Sequence, residues 1–150
     1  WKGFDINVHF QGAGKSSFFI DGFTVYPFQE KSWGNILTDV VGNYWSLGIN
    51  EDPNAKYPRL SYGGNSNNYR ASTWWKKDMS FLRLKTVEIG YTFPKKWMEK
   101  IYSKGARVFV SGNNLLCFSP FKLWDPELNT DNGASYPNTT SYSVGINFTF

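Results

Sequence analysis

The sequence contains one cysteine and one histidine, and these two scarcities exclude several kinds of site. With Cys117 alone, the chain cannot form an internal disulfide or a paired thiolate metal site. With His9 alone, a catalytic triad or a metal cluster would have to be built around a single imidazole, and no set of nucleophile, base and orienting group accompanies it. We therefore predict no catalytic residue, no metal site and no cofactor.

Long apolar runs are also missing. No stretch approaches the roughly 18 apolar residues of a membrane helix, which excludes helical spans. The mean hydropathy of −0.45 is in the range of soluble proteins. However, a strand that crosses a membrane gives half of its residues to a polar lumen, so a β-barrel has the same average. The net charge is +4, but the basic residues are scattered, and we predict no nucleic-acid partner.

Charge is absent from the polar side of the strand-like segment Tyr142–Phe150. Its residues alternate between apolar and small or polar types, so a strand would place the two sets on opposite faces. In a soluble protein the wet face of such a strand usually carries charge, whereas here the pattern suits lipid on one side and a polar lumen on the other. The apolar set consists of Tyr142, Val144, Ile146, Phe148 and Phe150.

Four segments in all have the period-two alternation of strands, at about residues 2–11, 80–93, 106–116 and 141–150. Each is close to the ~9–11 residues that a tilted membrane strand needs. The connections 12–79 and 117–140 are long, and the connection 94–105 is short. Short turns on one side and long loops on the other are typical of outer-membrane barrels, so we assign residues 94–105 to the periplasm and the long loops to the extracellular side.

Two segments depart from this simple pattern. In Phe81–Lys85 the apolar parity is reversed, which indicates either a bulge near Lys85 or a strand that rises above the lipid and turns Arg83 and Lys85 towards the headgroups; we favour the second. In the first long loop, helical spacing behind Ser32 predicts one short helix. Its apolar residues are Trp33, Ile36, Leu37, Val40, Val41, Tyr44 and Trp45.

Four strands cannot close a barrel, since the smallest membrane barrels have about eight. Left alone they would present two unpaired sheet edges, which proteins avoid. We therefore expect the chain to be part of something longer, or to pair with copies of itself in a small oligomeric barrel.

Several motifs together resemble the C-terminal part of SusC/RagA-type TonB-dependent transporters. The resemblance covers nearly the whole chain and is weakest over residues 12–52, and the order and spacing of the motifs make it specific. The motifs are Lys2–Val8, Asn54–Leu60, Ser72–Trp75, Asp78–Pro94, Arg107–Leu115, Asp125–Glu127, Tyr136–Pro137 and the terminal strand.

The resemblance implies an all-β fold: the last four strands of a transmembrane antiparallel barrel of about 22 strands with a plugged lumen, in the Gram-negative outer membrane. The plug and the segment that engages TonB would lie outside this chain. The implied partners are a SusD-like lid lipoprotein, TonB, outer-membrane lipid and a glycan or peptide cargo. The terminal strand, from Tyr142 to Phe150, would be read by the barrel-assembly machinery.

The loop tryptophans are the candidate binding residues. Exposed rings at the barrel mouth could stack on sugars or contact the lid protein, whereas buried rings would only pack the loops together. For any one of them we favour packing, because large aromatic side chains are mostly buried. The candidates are Trp33, Trp45, Trp74, Trp75 and Trp124.

The high aromatic content, 19% of the chain, leaves a second class of function open. A secreted, aromatic-rich β-sandwich that binds carbohydrate would explain the tryptophans equally well. It explains poorly the uncharged polar face of the last strand and the difference in loop length. We also expect Asp5 and Glu88 to be lumen-facing polar residues with no catalytic role.

Overall fold

The computed structural model of the chain describes residues 2–22, 24–29 and 35–150. It contains two compact units. The first, called the sheet unit, comprises residues 2–13, 81–118 and 138–150, and the second, called the loop unit, comprises the described residues of 14–80 and 119–137. The predicted all-β fold is confirmed: in the described residues strands dominate, with one short α-helix. None of the helices in the described part of the chain has the length and apolar character needed to cross a membrane.

The sheet unit is built from four long antiparallel strands in the order β1-β4-β5-β6. They are β1 (Phe4–Ala13), β4 (Phe81–Thr92), β5 (Gly105–Phe118) and β6 (Ser141–Thr149). These are the four segments whose alternation predicts strands. All four lie in one sheet, whereas a β-sandwich divides its strands between two packed sheets. The sandwich alternative is therefore wrong.

A β-bulge interrupts the sheet at Lys85. The pairing of β1 with β4 shifts between His9 and Phe10, and the pairing of β4 with β5 shifts between Leu84 and Thr86. The extra residue restores the parity, so that Leu84 lies on the same face as Val87 while Arg83 lies on the opposite face and is 4% exposed. The interpretation that Arg83 turns outward towards headgroups is wrong, and the bulge explains the reversed pattern.

A short helix, α1 (Lys95–Met98), connects β4 to β5 and continues into a 3₁₀ turn at Glu99–Ile101. Pro94 precedes it in an extended conformation, which suits proline at a helix start. The helical segment ends at Tyr102, which has a left-handed φ of 56°. The connection 94–105 is therefore helical over Lys95–Ile101, and Gly105 already belongs to β5.

The loop unit has its own apolar core. Two short strands, β2 (Ser17–Phe19) and β3 (Lys76–Asp78), pair antiparallel beside it. Buried aromatic side chains supply much of the packing, with Tyr26 stacked on Tyr69 at a centroid distance of 4.1 Å. The buried core consists of Ile20, Val25, Tyr26, Val40, Tyr57, Trp75, Met79 and Phe121.

The helix expected between Trp33 and Trp45 is wrong where the structure describes it. Residues 38–42 form turns, with the Val40 N–H donating to the Leu37 carbonyl at 2.9 Å. Tyr44 forms a parallel bridge with Tyr57, and the Trp45 N–H donates to the Tyr57 carbonyl at 3.0 Å. Pairing with a distant segment therefore takes the backbone groups that a helix would use. Ser32 and Trp33 lie outside the described residues.

Candidate functional site

One face of the four-stranded sheet, called the apolar face, carries aliphatic and aromatic side chains along its whole length. The register places side chains from all four strands on it. Most of these side chains are exposed, among them Ile6 at 68% and Val144 at 75%. A contiguous exposed patch of this size marks contact with lipid or with another protein. The face comprises Phe4, Ile6, Val8, Phe10, Leu82, Leu84, Val87, Ile89, Tyr91, Ala106, Val108, Val110, Leu116, Phe118, Tyr142, Val144, Ile146 and Phe148.

The five residues predicted as an assembly signal form the β6 margin of the sheet. Tyr142, Val144, Ile146 and Phe148 share the apolar face with Val110 and Val108 of β5. Phe150 follows the strand, and its ring stacks on Phe148 at 6.2 Å. The connection before β5 holds this end in place, because the Lys104 N–H donates to the Thr149 carbonyl at 2.7 Å and the Lys104 ammonium donates to the Phe150 carbonyl at 3.0 Å.

The opposite face of the sheet is polar and holds an ion cluster centred on Arg107 of β5. Its guanidinium donates to Asp5 of β1, with Nε to Oδ1 at 3.1 Å, and to Glu88 of β4, with Nη2 to Oε1 at 2.7 Å. A second bond joins Arg107 Nη2 to Asp5 Oδ2. Gly90 lies beneath the guanidinium, where a Cβ would collide with it. The cluster therefore links three neighbouring strands.

The loop tryptophans do not form one platform. Trp75 is 1% exposed and belongs to the core, where its Nε1 donates to the Asn68 carbonyl at 2.5 Å. Trp74, directly before it, is 39% exposed, and its Nε1 donates to the Ala55 carbonyl at 3.0 Å. Trp45 is half-buried, and Trp33 lies outside the described residues. Packing is thus the role of Trp75, and Trp74 is the most exposed tryptophan of the described loop unit.

Trp124 lies beside a cleft of about 290 Å³ in the loop unit. Its ring packs edge-on against Phe121 at 4.9 Å and lies against Gly133. Among the described residues, its buried Nε1 has no hydrogen-bond partner. Leu37 and Asn132 are also in the lining, so the cleft combines an aromatic ring, an aliphatic wall and an amide. That combination is suited to a ligand with both apolar and polar faces.

A second cleft in the loop unit, called the lysine cleft, has a volume of about 230 Å³. Lys77 lies over the Tyr57 ring, with its Nζ 4.8 Å from the ring centroid. Asp39 accepts a hydrogen bond from the Tyr57 hydroxyl at 2.8 Å and lies 3.5 Å from the Lys56 ammonium. The lining residues are Asp39, Lys56, Tyr57, Lys77, Pro120, Phe121, Lys122 and Leu123.

The electrostatics of the lysine cleft follow from burial. Burial lowers the pKa of the Lys77 ammonium, the Asp39 carboxylate partly opposes that shift, and the nearby Lys56 charge adds to it. Burial also raises the pKa of the Tyr57 hydroxyl, and its hydrogen bond to Asp39 and the charge of that carboxylate act in the same direction. The cleft therefore holds a partly desolvated cation next to a second ammonium group.

Sequence reasoning missed both charged groupings. Asp5 and Glu88 do lie on the polar face, but their shared partner Arg107 depends on strand pairing that alternation alone does not reveal. The sequence did contain one signal for this cluster: all three charged residues alternate with the apolar residues of their strands, which places them on the same, polar face of the sheet. The lysine cleft draws residues from four separate stretches of the loops, and nothing in their spacing predicts that they meet.

The chain is similar to TonB-dependent receptors over its whole length, although no family model matches it. It is 29% identical to TonB-dependent receptor P3 of Formosa agariphila, in an alignment that covers 100% of this chain and 15% of the relative. It is 30% identical to TonB-dependent receptor SusC of Bacteroides thetaiotaomicron over 53% of this chain and 8% of that relative. The chain thus spans about 15% of the length of the curated relatives that it matches end to end.

The fold also matches solved structures. The RagAB peptide importer in its closed-closed state aligns with 100% of this chain and 16% of its own, with a TM-score of 0.74 and 24% identity. The open-open state of the same importer aligns over the same shares, with a TM-score of 0.70 and 25% identity. The resemblance to SusC/RagA-type transporters that the sequence motifs indicate is therefore confirmed.

Proposed function

From the similarity of this chain to SusC-type TonB-dependent receptors, we propose that it forms part of an outer-membrane importer of nutrient oligomers. In this proposal the four-stranded sheet is a section of the wall of a large plugged barrel, the last four of about 22 strands. In the same proposal, the plug and the TonB-engaging segment would lie in parts of the protein outside these 150 residues. The cargo is a glycan or a peptide, and the chain performs no catalysis.

The observation that carries the proposal is the exposed apolar face. Fully burying one large aliphatic side chain is worth about 1.5–3 kcal/mol relative to water, so a face of this extent needs an apolar medium. Lipid supplies one without any further chain, and the tilt and length of membrane strands agree with the 9 to 14 residues of β1, β4, β5 and β6. The polar face then borders the lumen, where Arg107 and its carboxylates remain hydrated.

The loop unit is the proposed mouth. Both of its segments leave the sheet at the same end of the strands, after Ala13 and Phe118 and before Phe81 and Ser141. We assign that end to the extracellular side, where the loop unit would contact a SusD-like surface lipoprotein and the cargo. Trp74, Trp124 and Trp45 are the proposed contacts, and Trp33 stays a candidate from sequence alone. Binding, closure of the lid and TonB-driven movement of the plug would follow in that order.

Uptake in whole cells tests the proposal. Cells that express the full-length protein are given fluorescent glycan and peptide oligomers, with and without TonB, and with a protonophore. We expect accumulation of at least one oligomer class to fall at least tenfold when TonB or the proton gradient is lost. The same cells should show the protein in the outer-membrane fraction, together with a surface lipoprotein that co-purifies with it.

Two results would contradict the proposal. Uptake that does not depend on TonB would remove the import mechanism, and recovery of the protein in the soluble secreted fraction would remove the membrane location. The matched control is an unrelated porin in the same strain, whose passive uptake of small sugars should not change when TonB is lost.

The assembly role of the terminal strand needs a separate test. Replacing Phe150 with aspartate should lower the amount of folded protein in the outer membrane several-fold, whereas the cargo affinity of the molecules that do assemble should stay the same. Folded protein is measured by its resistance to SDS without heating. Lys104→Gln is the control, because it removes only the side-chain bond to the Phe150 carbonyl. A normal yield for the Phe150 variant would argue against the assembly signal.

A further inference from the structure

We propose that the lysine cleft binds a carboxylate group of the transported oligomer, which makes the loop unit selective for acidic cargo. This inference depends on the proposed import function. The lysine cleft is formed by loop-unit residues only, so its binding chemistry can be measured without transport.

Charge is the first argument. Among the described residues, three ammonium groups, those of Lys56, Lys77 and Lys122, line the lysine cleft together with one carboxylate, that of Asp39. The lining therefore carries an excess of two positive charges. Because the cleft walls include Phe121 and Leu123, an anion placed there would interact with these charges in a medium of lower dielectric constant than water.

The second argument is that Asp39 is already engaged. It accepts the Tyr57 hydroxyl at 2.8 Å and lies 3.5 Å from Lys56. Within the described residues, Lys77 has an aromatic ring as its close partner, at 4.8 Å, and forms no ion pair. A half-buried ammonium has lost part of its hydration, and the ring replaces only a part of it. A ligand carboxylate would supply a negative charge next to the Lys77 ammonium and would reduce the repulsion between Lys77 and Lys56.

Size defines what can enter. The volume of about 230 Å³ is below the roughly 300–1,000 Å³ of sites that enclose a drug-sized molecule. The lysine cleft therefore suits one acidic residue of an oligomer, with the rest of the chain outside. Its apolar side, Phe121 and Leu123, would contact the carbon skeleton that carries the carboxylate. An acidic amino acid and a uronic acid share this chemistry.

Titration calorimetry on the full-length protein in detergent tests the inference. The probes are a glutamate trimer and a galacturonate trimer, each compared with its neutral counterpart, a glutamine trimer and a galactose trimer. We expect at least one acidic probe to bind at least tenfold more tightly than its neutral counterpart. The preference should shrink as salt is raised, because screening weakens the charge interaction. Which acidic probe binds identifies the source of the carboxylate.

Two neighbouring lysines provide the matched variants. Lys77→Gln should reduce the affinity for the acidic probe at least tenfold, whereas Lys76→Gln should leave it unchanged, since Lys76 is exposed and does not line the lysine cleft. Lys122→Gln is a second variant with an exposed side chain, so its replacement does not disturb packing, and we expect a several-fold loss. Protease resistance of the loop unit checks that each variant is folded.

Several results would overturn the inference. Equal affinity for acidic and neutral probes, or no binding of either acidic probe, would remove the carboxylate site. Equal losses for Lys76→Gln and Lys77→Gln would show a diffuse surface charge effect instead of a site. Because these measurements need no TonB, a failed uptake experiment together with selective binding would reject the import mechanism and keep the lysine cleft.

Discussion

In the sheet unit Val144 is 75% exposed and Ile6 is 68% exposed, whereas in the loop unit Val40 and Val25 are 0% and 2% exposed. The side chains are of the same kind, so the difference lies in what surrounds each unit. The loop unit buries its apolar residues in a core as a water-soluble domain does. The sheet unit presents them outward and keeps Arg107, Asp5 and Glu88 on its other face. Apolar side chains are thus buried in the loop unit and exposed on one face of the sheet unit, and the change in exposure coincides with the boundary between the two units.

The largest effect is expected from the loop core. Trp75→Ala removes a buried ring, which should cost about 3–5 kcal/mol of stability, enough to unfold the loop unit locally. The sheet should still assemble, since in the proposed barrel its apolar face would be covered by lipid. Protease digestion of intact cells measures the loop unit, and SDS resistance measures the sheet.

Trp74→Ala is the matched control for that change. Trp74 is 39% exposed and is the next residue in sequence, so its replacement should increase protease sensitivity far less. Equal sensitivity of the two variants would mean that exposure does not distinguish the two rings. Loss of the assembled sheet in the Trp75 variant would mean that the two units depend on one another for stability.

A charge on the apolar face of β6 should have the next largest effect. Val144→Arg should lower the free energy of unfolding in lipid vesicles by about 2–4 kcal/mol if Val144 lies near the bilayer midplane. Ser143→Arg, one residue earlier on the polar face, should change it by less than about 1 kcal/mol, because in the proposed barrel its side chain would border the aqueous lumen. Denaturant titration of the vesicle-inserted protein gives both values. Equal costs at the two positions would contradict the assignment of lipid and lumen.

The ion cluster on the polar face should contribute less than either of these. Arg107→Met leaves Asp5 and Glu88 near each other without their shared cation. Because the Arg107 side chain is 26% exposed and the Asp5 side chain 48%, solvent screens the interaction, and we expect a small loss of stability. A double-mutant cycle with Asp5→Asn isolates the pair. A coupling energy near zero would show that the cluster does not link β1 to β5.

The smallest expected effect is on the alkaline stability of the loop unit. Burial raises the pKa of Tyr57 above its ordinary value of 10.0, so the unfolded state loses the proton first as pH rises. The stabilising contribution is therefore complete below pH 10 and is lost progressively above it. Lys77, whose pKa is lowered, acts in the opposite direction.

Tyr57→Phe isolates the tyrosine from these opposing groups. The variant loses the hydrogen bond to Asp39, which should cost about 1 kcal/mol at neutral pH. Between pH 9 and 11 its protease resistance should fall less steeply than that of the parent chain. A parallel fall in both proteins would mean that Tyr57 does not ionise differently in the folded and unfolded states.

Strand alternation was sufficient to predict the sheet, because a strand with a different solvent on each face keeps period two along its length. It was insufficient at Phe81–Lys85, where one extra residue at Lys85 shifts the pattern and the sequence alone allows two explanations. The loop unit was less predictable. Helical spacing around Val40 and Tyr44 is real, but both residues contact segments far away in sequence, and that packing overrides local propensity.

The candidate site residues were likewise easier to predict in the sheet unit than in the loop unit. Alternation was enough to place the terminal-strand residues on one face of the sheet, because that placement depends only on the strand itself. The tryptophans could not be ranked, because Trp74 and Trp75 are adjacent in sequence and differ only in what the folded loops place around them. The lysine cleft could not be predicted from residue spacing either, because its lining residues meet only in the folded loops.

The loop unit is assembled from two chain segments that the strands β4 and β5 separate. Contacts between these segments join residues as far apart as Thr24 and Asn132, which are 108 positions apart, and closing such a loop costs about 4 kcal/mol of chain entropy. Pairing of β4 with β5 takes residues 81–118 out of this loop, which lowers the cost by only about 0.4 kcal/mol because the cost grows with the logarithm of loop length. A completed sheet therefore does little to bring the two segments together, and we expect the protease resistance of the loop unit to appear only when its own core contacts form.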